Sequence, residues 1–382
     1  MIKTFKYRLY PTSKQTKVLS SQLEGHRLLY NQSLAQRKEI YETTGKGIGY
    51  FAQATGLLPK LKKKGEQLAI CNYSSLQQTL RRLDKAFKAF FYRIKTGEKA
   101  GYPRFKPSDR FNTISYATLG DGCQIKNNRL YLQNVGCIKV KWHRPVTGNI
   151  KTLSASRKNG KWYAAFFVEC EVVPLPATGK EIGIDVGLKA FITTSDGQQI
   201  EPPKYFRKSE KKLAKAQRKF CRRKKGSIRR KKARILVAKH HERIVDQRLN
   251  FCHKVAHSLV ESYDGFAVEN LNIKNMVKNK HLSKSISDAS WGIFLTILKG
   301  KAGSAGRWYK EINPNGTSQR CSDCGETVKK SLATRVHNCP ACGLSLDRDV
   351  NAALNIFQQA RIEPSWRGGV VMPLVEARSC LL

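Results

Sequence analysis

Four cysteines near the end of the chain narrow its folding options more than any other feature. Cys321 and Cys324 form one Cys-x2-Cys knuckle, Cys339 and Cys342 a second, and a glycine follows each pair (Gly325, Gly343). Four thiolates at this spacing can close around one tetrahedral ion, and glycine permits the tight turn that points backbone N–H groups at sulfur. The set leaves no coordination position open, so the expected metal is a single structural Zn2+. The other seven of the 11 cysteines (Cys71, Cys123, Cys137, Cys170, Cys221, Cys252, Cys380) are scattered. An odd count with no secretory segment points to a reducing cytosol rather than a disulfide framework, and these seven read as ordinary buried or half-buried residues.

Charge sets the second constraint. Against 28 Asp plus Glu stand 71 Lys plus Arg, a formal net charge of +43 over 382 residues. Such a chain repels itself and binds polyanions, because each neutralised phosphate releases condensed counterions. Membranes are anionic too, but no long amphipathic helix with aromatic anchors is evident. Nor does any apolar run approach the ~20 residues needed to span a bilayer. The first residues, MIKTFKYRLYPTSK, lack the continuous apolar stretch of a signal peptide. The expected partner is therefore nucleic acid, with no membrane association and a cytoplasmic location. Arg320, Lys329, Lys330 and Arg335 make the cysteine module basic. His337 is an alternative ligand, but four cysteines suffice, and it is expected instead to be a neighbour able to touch DNA.

Periodicity divides the chain. Residues 4–10 alternate Phe5, Tyr7 and Leu9 with Lys6 and Arg8, which predicts a strand stopped by Pro11. Ser13 is placed to cap a helix through Leu34. A second helix is expected from about Ser74, with Gln77 completing a capping box and an apolar stripe from Leu76 to Ile94. From 110 to 173 the period returns to two, with hairpin signals at Asp121-Gly122 and Asn159-Gly160. PLPATG (174–179) reads as a linker. Beyond it an α/β segment begins with strands at 181–185 and 190–194 and a turn at Asp196-Gly197. Residues 207–234 hold sixteen Lys/Arg and one acid, Glu210, and predict a helical hairpin turning at Gly226-Ser227. A strand at 265–269, a glycine-weakened helix at 291–308, a strand at 310–313 and a last helix from Asp347 or Arg348 to about Ile362 complete the pattern.

In a chain so short of acids, carboxylates that end apolar strands carry information. Asp185 closes EIGID, Glu269 closes GFAVE, and Asp349 lies in LDRDVNAA at the start of the last helix. Phosphodiester hydrolysis at neutral pH uses two Mg2+ ions held by such a group of carboxylates. An Asp after a strand can also be a turn former, and spacing does not separate Asp347 from Asp349 as helix cap and metal ligand.

Taken together these segments resemble the TnpB family, RNA-guided DNA endonucleases of small insertion-sequence transposons related to the type V CRISPR effectors. The likeness runs through FKYRLYPTSKQ (5–15), YNQSLAQR (30–37), GYPRFK (101–106), GIDVGLKAF (183–191), VENLNIKNM (268–276) and SISDASWG (285–292). It continues through TSQRCSDCG (317–325) and CPACGLSLDRDVNAALNI (339–356). The resemblance implies a multidomain architecture of α/β class with a β-barrel. An N-terminal β-barrel (1–11 and 106–178) holds an inserted helical recognition domain (12–105). A RuvC-type, ribonuclease-H-like nuclease domain follows (179–314 and 347–364), with the basic hairpin near 205–250, an inserted four-cysteine zinc ribbon (315–346) and a flexible tail (365–382). It implies Asp185, Glu269 and Asp349 as catalytic ligands of two Mg2+ ions, with Asp347 beside them. It also implies a guide RNA from the transposon end, a target double-stranded DNA with its displaced strand, and a protein that is monomeric on its RNA. The family also contains nuclease-inactive RNA-guided repressors, the alternative reading, which the presence of all three acids disfavours. KGKAGSAG (299–306) and Asn315-Gly316 depart from the family pattern without removing a ligand.

Overall fold

The computed structural model describes residues 1–331 and 334–362, which fall into two compact units, 1–171 and 172 onward. The expected tail lies outside the described residues. Among the described residues no helix is long and apolar enough to cross a membrane.

In the first unit, β1 (Ile2–Tyr10) buries Phe5, Tyr7 and Leu9 on one face, as its alternation requires. α1 (Ser13–Thr44) follows, and its cap is Thr12 rather than Ser13. The Thr12 hydroxyl accepts from Gln15 N while the Gln15 side chain accepts from Thr12 N, a reciprocal pairing that Ser13 is one residue too late to make. Short helical pieces α2 (Tyr50–Ala52), α3 (Leu58–Lys64) and α4 (Glu66–Ala69), the first two joined by a π-helical turn, lead to α5 (Tyr73–Lys95). Asn72, not Ser74, caps α5: its Oδ1 accepts from Ser75 N, and its Nδ2 donates to Asp121 and Gln133.

β2 (Thr113–Tyr116), β3 (Cys123–Lys126), β4 (Arg129–Leu132), β5 (Gly136–Lys141), β6 (Asn149–Lys158) and β7 (Lys161–Glu169) join β1 in an antiparallel sheet of order β2-β6-β7-β1-β5-β4-β3. The sheet curls as a half-barrel and stays open, since β2 and β3 do not pair. Asn159-Gly160 makes the β6–β7 hairpin, both residues at positive φ. Asp121-Gly122 does not turn a hairpin. It docks the start of α5, where any Cβ on Gly122 would meet Asn72 Nδ2 at 2.4 Å, and the β3–β4 turn falls to Asn127-Asn128. Leu19, Leu23, Tyr30 and Leu34 of α1 and Leu83 and Phe87 of α5 share the sheet's core.

In the second unit, β8 (Glu181–Asp185), β9 (Ile192–Thr194), β10 (Gln199–Ile200), β11 (Gly265–Glu269) and β12 (Trp308–Ile312) form a mixed sheet of order β10-β9-β8-β11-β12. β8, β11 and β12 run parallel, β9 returns antiparallel to β8, and β10 turns back antiparallel to β9. The basic hairpin is α6 (Tyr205–Cys221) and α7 (Ile228–Ser262), the latter capped by Ser227. α8 (Ile273–Met276) and α9 (Ser283–Ala289) precede α10 (Trp291–Ser304), which runs unbroken through Gly300 and Gly303. Those glycines cost roughly 1 kcal/mol each, but burying Phe294 and Leu298 offsets that by roughly 1.5–3 kcal/mol apiece. β13 (Val336–Asn338) pairs with β14 (Ser345–Asp347) in the cysteine module, and α11 (Arg348–Ile362) closes the described chain.

Ile182, Ile184, Phe266 and Val268 face α7 and α10, while Ala267 and Ile312 face α11. Segment 174–179 is bound down rather than loose. Asp264 accepts from the N–H groups of Thr178 and Gly179, and Arg307, paired with Asp264, donates to Pro176 O. No disulfide joins the described cysteines. Of the scattered ones, Cys137 and Cys221 are exposed, not buried, and Cys380 lies outside the described residues.

Candidate active site and metal centre

The last registered pair between β8 and β11 is Ile184–Val268, so Asp185 and Glu269 end neighbouring parallel strands side by side. The two-residue period puts Asp185 on the face of Gly183, and Glu269 on the face of Ala267, which is the face α11 covers. Gly183 makes that cover possible: a Cβ there would lie 2.1 Å from Ala353 O and 2.8 Å from Phe357 N. With only hydrogen at this position, the α11 backbone sits directly on β8, and its first turn arrives beside the strand ends. Asp347 caps the helix, its Oδ1 accepting from Asp349 N (2.9 Å) and Val350 N (3.3 Å). Asp349 is thereby free of capping and buried.

The three carboxylates share one electrostatic environment. Burial, followed by the charges of Glu269 and Asp349, pushes Asp185 up to about 8, against a smaller opposing pull from Arg348. Glu269 is also raised, by burial, with the Thr317 hydroxyl partly offsetting it. Arg348 Nε lies 3.5 Å from Asp349 Oδ1.

The four cysteine sulfurs all lie within 4.8 Å of one another. Cys321 and Cys342 are 3.6 Å apart and Cys324 and Cys339 3.5 Å, close to the roughly 3.8 Å edge of a tetrahedron with metal–sulfur bonds of about 2.3 Å. Gly325 and Gly343 both take positive φ, and each N–H closes its knuckle onto a cysteine carbonyl (Cys321 O and Cys339 O). The N–H of Cys342, with burial opposing it and that of Ala341 adding to it, brings the Cys339 thiol down to about 7. The donor set fits a soft tetrahedral ion held by thiolates. His337, expected to be a neighbour able to touch DNA, is fully buried on β13 against Lys330, so it is not available to DNA.

Sequence reasoning missed the residues that join the two centres. Thr317 Oγ1 donates to Glu269 Oε1. Asn355 Nδ2 donates to Thr317 O (2.8 Å) and Arg320 O (2.7 Å), and Asn351 exchanges bonds with Arg320 O (2.8 Å) and Ser322 N (3.0 Å). Gln358 adds a bond to Ser322 O (2.8 Å). Their spacing of four and then three residues on one helix was the available signal. Asp288 was also overlooked: it accepts from Phe206 N and Arg207 N at the start of α6 and pairs with Arg248 of α7 at 2.8 Å, anchoring the basic hairpin.

Residues 165–280 match a sequence family described as "Probable transposase", and residues 291–356 one described as "Cas12f1-like, TNB domain". Residues 1–46 match a "Helix-turn-helix domain", although here that span is one strand and one 32-residue helix. The chain is 35% identical over 363 residues to a "Putative RNA-guided DNA endonuclease" of Streptomyces pristinaespiralis, covering 93% of this chain and 88% of that one. A protein of Escherichia coli K12 with the same description is 30% identical over 374 residues, covering 93% and 92%. In fold, the chain is similar to a solved mini-RNA-guided endonuclease, CRISPR-Cas phi3, with a TM-score of 0.50 at 10% identity, covering 94% of this chain and 92% of that one.

Proposed function

The chain belongs to the TnpB family of RNA-guided DNA endonucleases, and on that premise we propose that Asp185, Glu269 and Asp349 are its catalytic carboxylates. The protein is an enzyme that cleaves DNA under RNA guidance. The observation that carries the site assignment is geometric: Asp185 and Glu269 end neighbouring parallel strands on the face that α11 covers, where the first turn of that helix brings Asp349. Strand order β10-β9-β8-β11-β12, with acids at the ends of the adjacent parallel strands, supports a ribonuclease-H-like domain of the RuvC type.

A group of oxygen donors with mutually repelling charge suits hard divalent cations, and Asp185, Glu269 and Asp349 would hold two Mg2+. When bound, these ions supply positive charge beside the attacking and leaving oxygens of a phosphodiester. The chain's own part is to hold the three carboxylates at one edge of a rigid sheet, with Gly183 letting α11 deliver Asp349. Water adds to phosphorus, the P–O3′ bond breaks, and the products are a 3′-hydroxyl and a 5′-phosphate. Cys321, Cys324, Cys339 and Cys342 would hold one structural Zn2+.

The partners in this reading are a guide RNA from the transposon end and a target duplex opened into a heteroduplex and a displaced strand. The protein reads a short flanking motif while base pairing reads the rest. The exposed cationic face of α6 and α7 supports backbone contact. The division into a barrel-like segment (1–11 and 106–178), a helical recognition segment (12–105), a nuclease segment (179–314 and 347–364) and a ribbon (315–346) is part of the same proposal, as is one protein per RNA.

Asp185→Ala tests it. In the complex with its copurifying RNA, the variant should lose Mg2+-dependent cleavage of plasmids carrying a randomised flank and keep guide-dependent binding. Wild-type cleavage by that variant would remove the assignment.

A further inference from the structure

We infer that Thr317 is a positioning residue for Glu269, fixed in turn by the buried asparagines of α11. This rests on the reading of Glu269 as a metal ligand. Thr317 lies in the segment entering the cysteine module, is 6% exposed, and points its hydroxyl at Glu269 Oε1. That hydroxyl carries one hydrogen and has two acceptors in reach, the carboxylate and Pro314 O at 3.2 Å. An ionised carboxylate is the stronger acceptor, so with Glu269 charged the hydrogen goes there. One of the carboxylate's roughly four lone-pair positions is then occupied and its rotation restricted, leaving the others for a cation.

A hydroxyl on a loop would position nothing unless the loop were held. Asn355, 7% exposed, donates to the Thr317 carbonyl itself, and Asn351, fully buried, secures Arg320 and Ser322 on either side of Cys321. The helix that brings Asp349 to the site therefore also holds the residue that orients Glu269. One element sets two of the three carboxylates. Partners of this kind, bonded to a metal ligand rather than to the metal, typically change metal affinity 10–100-fold when removed.

The test is a Mn2+ titration of the full-chain ribonucleoprotein, followed by electron paramagnetic resonance, with the Asp185→Ala complex subtracted as RNA background. Thr317→Val should weaken the Asp185-dependent Mn2+ binding by about tenfold or more. It should also raise the Mn2+ needed for half-maximal cleavage by a similar factor. Thr317→Ser, which keeps the hydroxyl, should restore both. Zinc content and melting temperature should match wild type in both variants. Wild-type Mn2+ binding by Thr317→Val would overturn the inference, and so would a loss accompanied by lost zinc or a lowered melting temperature, or a failure of Thr317→Ser to rescue. If the wild type shows no Asp185-dependent Mn2+ binding, the metal-site reading itself fails, a separate outcome that takes this inference with it.

Discussion

His26 lies wholly inside the first unit, with Thr79 Oγ1 2.7 Å from Nδ1 and Ser75 Oγ 3.2 Å from Nε2. Burial, helped by the nearby charge of Arg82, pushes its pKa down to about 3 from an ordinary 6.5. Between those values the unfolded chain binds a proton that the folded chain refuses. Stability therefore falls as pH drops through this window, by up to about 1.4 kcal/mol per unit, and the effect vanishes above 6.5. His26→Gln should flatten the fall in urea midpoint between pH 6 and 4 by about one proton; equal slopes for the two proteins would contradict the assignment. Desolvation acts on Asp185 with the opposite sign, because an acid is neutral when protonated. Sequence alone marked Asp185 by its place at a strand end and did not mark His26. It gave neither environment, since the groups that surround them come from distant segments. Asp347 and Asp349 make the same point: two residues apart, they are told apart only by which one accepts the N–H groups of α11.

At the scale of elements, periodicity was a dependable guide wherever one face meets a core. β1, β7, β8, β11 and the part of α7 from Ile235 to Leu259 stand where alternation or helical spacing put them, while α6 and the start of α7 were placed by their charge run and the Gly226-Ser227 turn. It misled where a turn residue had a second task, as at Gly122 against Asn72, and where packing outweighed propensity, as along α10. The α6–α7 hairpin keeps Leu213 and Ala216 inward and leaves Lys211, Lys215 and Arg218 of α6, and Arg222 at its C-cap, exposed. Each phosphate neutralised contributes roughly 0.9 to the slope of log K against log salt on duplex DNA. Changing those four residues to Gln should weaken nucleic-acid binding at about 100 mM salt and flatten that slope by about 2–4, read by fluorescence anisotropy across a salt series. An unchanged slope would mean that this face meets solvent alone.

For the molecule as a whole, a net charge of +43 means that the folded chain works against its own repulsion until a polyanion is bound. A ligand that binds only the folded state at about 100 times its dissociation constant adds about 2.7 kcal/mol. Heparin or copurifying RNA should therefore raise the melting temperature of nucleic-acid-free protein, with a gain that shrinks between roughly 50 and 500 mM salt. A melting temperature indifferent to polyanion would show that the charge is not held in tension by the fold. The sequence by itself determined the chemistry available: soft sulfur donors in two glycine-closed knuckles, hard oxygen donors at strand ends, and a cationic surface. These are local, because a donor's softness, a turn's glycine and a strand's last residue belong to the residue or its neighbours. Only the tertiary structure decided which groups meet. The approach of α11 over Gly183, the burial of His337, and the chain from Asn355 through Thr317 to Glu269 all depend on faces contributed by segments far apart in sequence. Spacing within an element says which side chains share a face; it carries no record of the face packed against it.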